Sequence, residues 1–371
     1  MKVLHITSRA DHGGGGEHIF QLINACNKNF HGSVNSYVIC PRDKPYWNKY
    51  SGIIVDMVSI KRRSINVIDL IRIILFIIDS NINIIHTHGK AAGVYGRLCK
   101  FFLYRKVKHI HTSHGIHIDT YKKMSLAFYK LYEFISSFLL DYVIFVSRSE
   151  QDKAYLNDIF KTVPSSIINN GVETDLREKY LPYKQKLFNR IKIPKRKVVI
   201  TIARLAFPKN MIEMAMIAKE LPNINFLWVG DGEEYESFLL HINSNQLDNI
   251  FLLGAVDDGK QYLSIADLYL SSSLSEGLPY SLLEAMSFGV PIVATNVEGH
   301  IDLIEDNITG LLYEVGDIDS AVAKIQKLLD DDNLYHEISM NQRYELSNEY
   351  SIDKMTKNIV SIYNKIMCLE V

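Results

Sequence analysis

The sequence predicts an α/β protein of two doubly wound domains with parallel sheets, facing each other across a cleft. Three observations carry this. Short apolar runs alternate with stretches of helical apolar spacing along the chain, the order that produces βαβ units. The alternation comes as two series, one opening at Val3 and the other at Val198. The chain's 371 residues, 47% of them hydrophobic, also exceed what one core supports, since single cores stop growing near roughly 250–300 residues.

The first series begins with a strand over 3–7, a glycine-rich loop at Gly13-Gly14-Gly15-Gly16, and a helix carrying Ile19, Leu22, Ile23 and Cys26 at helical spacing. Strands over 37–40, 82–86 and 142–146 and a helix over 65–78 continue it, giving a first domain over 1–175. Residues 176–195 are charged, contain Pro182 and Pro194 and show little apolar period, which predicts a linker. The second domain, 196–350, has strands over 198–203, 226–229, 250–253, 268–271 and 292–295. The last segment, 351–371, reads as an amphipathic helix with Met355, Ile359, Ile362, Tyr363 and Ile366 on one face. In such sheets ligands bind at the carboxyl ends of strands, so the cleft is the expected site.

The most informative stretch is residues 254–294. Glu276 and Glu284 lie eight residues apart across a turn, Glu276-Gly277-Leu278, that leads into a helix. Pro279 suits the first helical position because its missing N–H would be unpaired there. The helix runs to about Phe288; Gly289 fits a left-handed cap and Pro291 bars continuation. A helix start offers unpaired N–H groups and partial positive charge to a phosphate. Two carboxylates at different depths reach different parts of one extended ligand such as a nucleotide sugar, although two solvated glutamates would fit the spacing equally well. Arg204 and Lys209 follow the strand over 198–203 and suit a diphosphate. Gly15 and Gly16 allow close backbone approach, but the pattern is not the dinucleotide fingerprint, so no NAD is expected.

The string E-G-L-P-Y-S-L-L-E-A-M, followed by G-V-P-I-V-A-T, resembles the signature of retaining glycosyltransferase family 4, whose fold is GT-B. The resemblance implies that Glu284 binds the ribose and Glu276 lies near the donor sugar, with Gly277, Leu278 and Pro279 along the donor. The string T-I-A-R-L-A-F-P-K-N resembles the family element in which Arg204 and Lys209 bind the donor phosphates; Ala203 stands where that family usually has glycine. H-T-S-H-G-I-H resembles the T-x-H element and points to His114 at the donor sugar. Gly15-Gly16-Glu17 resembles a loop lining the acceptor and diphosphate side, and His88 an element near the acceptor. V-G-D-G-E, with Gly230, and Gly254-Ala255-Val256 resemble turns beside the nucleotide. The last helix is expected to cross back onto the first domain.

Five histidines at strand ends, in H-T-H and H-T-S-H-G-I-H, raise a metal, but no carboxylate or cysteine completes a set at ligand spacing, so none is expected. Cys26, Cys40, Cys99 and Cys368 are scattered, as in a reduced cytosolic protein without disulfides. No signal peptide is expected, so the Asn307-Ile308-Thr309 sequon carries no glycan. Net charge is −1, yet residues 1–175 hold 22 Lys+Arg against 14 Asp+Glu, and residues 176–371 hold 19 against 28. Basic clusters at Lys61-Arg62-Arg63, at 100–108, and at Lys122, Lys123 and Lys130 are interleaved with aromatics; they suit an anionic membrane surface. No segment reaches the ~20 apolar residues of a spanning helix. Zinc-finger and RNP-type motifs are missing, which excludes nucleic acid as the expected partner.

The expectation is therefore a metal-independent retaining glycosyltransferase. It would transfer a sugar from a nucleotide sugar, UDP favoured, to a lipid-linked saccharide of bacterial O-antigen or capsule, at the cytoplasmic face of the inner membrane. A nucleotide-sugar 2-epimerase of the same architecture and a non-catalytic nucleotide-sugar-binding scaffold are the alternatives.

Overall fold

The computed structural model describes residues 1–30, 32–62, 65–116, 118 and 121–368. Arg63, His117 and residues 369–371, which entered the reading above, lie outside them. The chain divides into two compact units, residues 1–171 with 352–371, and residues 172–351.

The first unit is built on a seven-stranded sheet. Its strands are β1 (Lys2–Thr7), β2 (Asn35–Cys40), β3 (Asp56–Ser59), β4 (Ile84–His88), β5 (Lys108–Thr112), β6 (Tyr142–Phe145) and β7 (Ser165–Ile167), in the order β3-β2-β1-β4-β5-β6-β7. Every neighbouring pair is parallel, and β1, β4 and β6 are buried on both faces, β6 as a continuous apolar run and β1 and β4 with buried histidines among their apolar residues. One face packs helices Gly14–Asn29 and Ile352–Cys368 over Val3, Ile84, Ile110 and Ile144. The other packs helices Val67–Asp79 and Lys90–Phe102 over Leu4, Ile6 and Ile85. The C-terminal helix thus belongs to the first unit through Met355, Ile359, Tyr363 and Ile366.

The second unit carries β8 (Val198–Ile202), β9 (Asn225–Val229), β10 (Ile250–Leu252), β11 (Leu268–Ser271), β12 (Ile292–Thr295) and β13 (Leu311–Tyr313), in the order β10-β9-β8-β11-β12-β13, again all parallel. Trp228, fully buried, is the largest side chain of its core.

Two expectations need correction. Residues 176–195 are not a free linker: they form helices Leu176–Tyr180 and Lys184–Ile191 with a short 3₁₀ turn between. Leu176 and Leu187 are buried, and the segment is part of the second unit. The charged residues that suggested a linker occupy the outer faces. Gly14, Gly15 and Gly16 form the first turn of helix Gly14–Asn29 and are not loop residues; only Gly13 precedes it, as N-cap.

Candidate functional site

In the second unit the site is built by two turns that lock backbone to backbone. After β8 the chain turns through Ala203 to Lys209, and after β9 through Gly230 to Glu233. The amide of Ala203 donates to the Val229 carbonyl, the Leu205 amide to the Asp231 carbonyl, and the Glu234 amide to the Leu205 carbonyl. Gly230 has φ 140°, and a Cβ there would lie 2.0 Å from the Ala203 oxygen; only glycine allows this approach. Ala203 lies outside the positive-φ region, so its departure from the family's glycine costs no strain. The two turns hold Arg204, whose guanidinium lies 4.0 Å from Glu233, and Lys209.

Lys209 forms an ion pair with Glu276 Oε1, the same oxygen that accepts from Ser273 Oγ at 2.6 Å. Burial alone would push the Glu276 carboxyl up, but Lys209, the buried His300 and the hydrogen bonds outweigh it, so its pKa lies below the ordinary value. Its backbone is fixed as well: the Glu276 amide donates to Glu298 at 3.1 Å. Gly299, φ 82°, presses against Gly277, where a Cβ would meet the Gly277 oxygen at 2.5 Å.

Helix Tyr280–Phe288 has Pro279 as its N-cap, one position earlier than expected, with no side-chain cap, and ends at Gly289 with φ 65°. Glu284, 8% exposed, faces Lys260 Nζ at 3.5 Å. Leu278 and Pro279 are buried, while Gly277 and Val256 are half-buried. The structure thus joins Glu276 to Lys209 directly, while Glu284 and Arg204 take other partners. Ser273, His300 and Lys260 escaped the sequence reading. His300 had a readable signal, a histidine after a strand end like those of the first domain. Lys260 had none, because its partner is remote in sequence.

The first unit gathers histidines at the carboxyl end of its sheet. Buried His5 on β1, His86 and His88 on β4, His111 on β5 and His18 on the first helix gather about His114, while His109, near the start of β5, bonds Thr87 and the Leu139 carbonyl instead. A chain of ring contacts runs His5 Nδ1 to His88 Nε2, 3.2 Å, and His88 Nδ1 to His114 Nε2, 3.1 Å. His114 stacks against His88 and stands edge-on to His18; His18 Nδ1 meets Asn170 Oδ1 at 2.9 Å. Burial holds His5 down at about 3 and His18 at about 4, and holds His88 and His114 well below the usual range. All are therefore neutral at pH 7. A neutral His88 donates from one nitrogen and accepts at the other, so the chain has two consistent directions. In one, His114 presents an N–H at Nδ1; in the other, an acceptor.

His114 has φ 57°, a strained conformation for a non-glycine residue. Glu150 supports it, accepting from Ser113 Oγ at 2.5 Å, from the Gly115 amide and from the Val146 amide at 2.7 Å. Glu17 is buried and accepts from Tyr46 OH and Gln21 Nε2, both at 2.6 Å. A Cβ on Gly16 would fall 2.5 Å from the Tyr46 ring, whereas one on Gly15 would make ordinary van der Waals contact with the His114 ring at 3.8 Å. His5, His18 and Glu150 were not singled out from sequence. His5 sits inside an apolar strand run, where nothing marks it.

Two groups, His5 with His86 and His88, and His18 with His88 and His114, bring three imidazoles together with ligand nitrogens within 4.8 Å of one another. These sets are completed by folding, which is why ligand spacing along the chain did not reveal them. A cation in the first would compete with Tyr363 and Thr112 for His86, at 2.7 and 2.8 Å. In either group it would compete with the His5 and His114 contacts of His88.

Two parallel-sheet units with carboxylates and cations gathered at strand ends define the GT-B class. A model described as Glycosyl transferases group 1 matches residues 184–344, and one described as Glycosyltransferase Family 4 matches residues 12–176. The O-antigen biosynthesis glycosyltransferase WbnH of Escherichia coli is 30% identical over 291 residues, 78% of this chain and 77% of that one. The UDP-Gal:alpha-D-GlcNAc-diphosphoundecaprenol alpha-1,3-galactosyltransferase of Escherichia coli is 27% identical over 300 residues, 76% of this chain and 75% of that one. Among solved structures, Anabaena Alr3699/HepE in complex with UDP-glucose has a TM-score of 0.84 at 18% identity, covering 98% of this chain and 100% of that chain. The chain belongs to glycosyltransferase family 4, and it is a transferase enzyme.

Proposed function

We propose that this enzyme transfers a sugar, with retention, from a UDP-sugar to a hydroxyl of a lipid-linked saccharide during assembly of a bacterial surface polysaccharide, without a metal and at the cytoplasmic face of the membrane. The observation that carries the donor side is the Lys209–Glu276–Ser273 cluster beside helix Tyr280–Phe288. Glu276 is ionised at neutral pH, so it has no proton to give a leaving group; it accepts hydrogen bonds from sugar hydroxyls. Glu284 takes the ribose hydroxyls. Arg204 and Lys209 stabilise charge growing on the departing diphosphate, the work a metal does in other phosphate sites. Gly277, Leu278 and Pro279 follow the donor, and Gly230 and Val256 flank the nucleotide. Binding exchanges the Glu276 and Glu233 partners of the two cations for phosphate oxygens.

In the first unit, His114 is assigned to the sugar hydroxyls and Gly15 and Gly16 to the diphosphate side, with His88 and Glu17 toward the acceptor. Glu17 acts through Tyr46, which it already holds. With no free strong nucleophile assigned to the donor, the acceptor attacks from the face the nucleotide leaves, and the leaving phosphate takes its proton. The lipid-linked acceptor is supported by the diphosphoundecaprenol relative, and the nucleotide by the solved UDP complexes.

The test is a thermal-shift screen of nucleotide sugars on wild type, Glu284→Ala and Arg204→Ala, since a ligand bound to the folded state raises apparent stability. One donor stabilising wild type alone supports the assignment. Donor conversion without acceptor would point instead to an epimerase, and binding without turnover to a scaffold.

A further inference from the structure

Helix Lys123–Ser136 is packed inside out. Its buried residues are Glu133 and Ser136, Glu133 pairing with the equally buried Arg97 of the neighbouring helix. Leu126 and Tyr129 pack partly buried on the core, but most of its large apolar side chains face solvent: Met124 at 73% exposure, Phe128 at 67%, Leu131 at 53%, Phe134 at 66% and Ile135 at 58%. Burying such side chains is normally favourable, so a helix that turns most of them outward and a carboxylate inward is shaped for something other than its own core. Helix Val67–Asp79 on the same face of the sheet buries Ile73 and Ile77 in the core yet leaves Val67, Ile68, Ile71 and Leu75 exposed. Between them lies helix Lys90–Phe102, ending in exposed Phe101 and Phe102.

Around helix Lys123–Ser136 the charge is mostly basic, while helix Val67–Asp79 carries Asp69, paired with Arg72, and exposed Asp79. Residues 80–132 contain nine Lys and Arg and a single acid, Asp119. Some of the basic residues counted from sequence are spent internally: Lys100 is buried on the Val107 carbonyl and Asp141, and Lys108 also faces Asp141. Arg105, Lys106, Lys122 and Lys123 remain exposed. A depression of about 690 Å³ at the start of helix Val67–Asp79 is lined by three cations, Arg42, Lys61 and Arg72, and one carboxylate, Asp69, together with Val67 and Ile68. Cations rimming apolar side chains match an anionic headgroup layer over acyl chains. A second copy of the chain would bring like charges together.

We infer that the face formed by helices Val67–Asp79 and Lys123–Ser136 docks on an anionic lipid bilayer, its apolar side chains entering the headgroup boundary. This deepens the peripheral-membrane reading above and rests on it. The helices lie in the interface and do not cross it: a 14-residue helix is about 21 Å long, and no described helix is long and apolar enough to span. Helix Lys123–Ser136 follows β5, which carries His111 and leads to His114, so its docking would bring a lipid-linked acceptor to that end of the sheet.

The experiment is vesicle flotation of the full chain with phosphatidylglycerol–phosphatidylcholine vesicles and with phosphatidylcholine alone, for wild type, the double variant Phe128→Glu with Phe134→Glu, and Lys122→Glu with Lys123→Glu. Wild type should float only with the anionic vesicles, and each double variant should lose at least about tenfold of that binding. Circular dichroism and melting establish that the variants fold, and their transfer to a short water-soluble acceptor should stay at the wild-type rate. Failure of wild type to float, or flotation unchanged in both variants, overturns the inference. A concentration-dependent dimer abolished by the phenylalanine pair would also overturn it, by giving the face to a second copy. Loss of soluble transfer in wild type itself would instead strike the functional reading.

Discussion

At the carboxyl ends of their sheets the two units hold their main polar groups in different ways. The second pairs its charges: Lys209 with Glu276, Lys260 with Glu284, Arg204 with Glu233. The first, at the equivalent end of its sheet, buries imidazoles that burial itself keeps neutral. Paired charges neutralise one another until a charged ligand replaces one partner, which suits a diphosphate. Neutral rings offer hydrogen bonds without charge, which suits sugar hydroxyls. The two kinds of burial thus suit two kinds of ligand group, anionic in the second unit and uncharged in the first.

The sharpest way to break this contrast is to remove the central charge. Glu276→Gln keeps the size and one acceptor but leaves Lys209 without its carboxylate. Transfer from the preferred donor should fall by roughly 10²–10³-fold in kcat, the scale of losing one preorganised polar contact to the transition state. The melting temperature should change little. An unchanged kcat would remove Glu276 from the site. Next in size is a backbone test: Gly230→Ala forces a Cβ to within 2.0 Å of the Ala203 oxygen, and should destabilise the second unit by about 3 kcal/mol. Chemical denaturation would measure this.

How much of this was legible follows from what each feature depends on. The central strands announced themselves because both faces are buried, and the Glu276 turn because glycine and proline mark it. The short edge strands β3, β7 and β13 did not, since three or four residues carry no period. Residues 176–195 misled because a half-buried amphipathic pair of short helices contributes only two buried leucines. The histidine network was half visible: H-T-H and T-S-H lie at strand ends, but His5 and His18 join them only through folding. Pairings such as Lys260 with Glu284 exist only in three dimensions.

Acid separates the two units. His5, His18 and His109 have folded-state values near 3, 4 and 3 against an ordinary 6.5. Below pH 6.5 the unfolded chain takes up protons that the folded chain refuses, so stability is full above that pH and falls as pH drops toward those values. At pH 5 the loss reaches about 2 kcal/mol per histidine. Glu276 is also depressed, but its contribution is full above the ordinary carboxylate value and starts to fall only as pH drops to that value, well below the histidine window. Melting followed by hydrogen exchange at pH 7.5 and 5.5 should thus show protection lost in the first unit before the second. Simultaneous loss would mean that the histidines are not held neutral.

The smallest effect tests whether the imidazoles work as a hydrogen-bonded chain or as metal ligands. His88 engages both ring nitrogens, one toward His5 and one toward His114, so a cation bound there must displace at least one of those contacts. If the chain is the working form, exhaustive chelation should leave transfer unchanged, and added zinc should inhibit by capturing His88 and His114. His88→Gln, which keeps a donor and an acceptor, should then retain more activity than His88→Phe, by about tenfold at most, with the difference in KM for the sugar substrates and not in the response to metal. Loss of activity on chelation, restored by one divalent ion and absent from both His88 variants, would instead make the first unit a metal site. The contrast between the halves would then be one between two kinds of charge compensation.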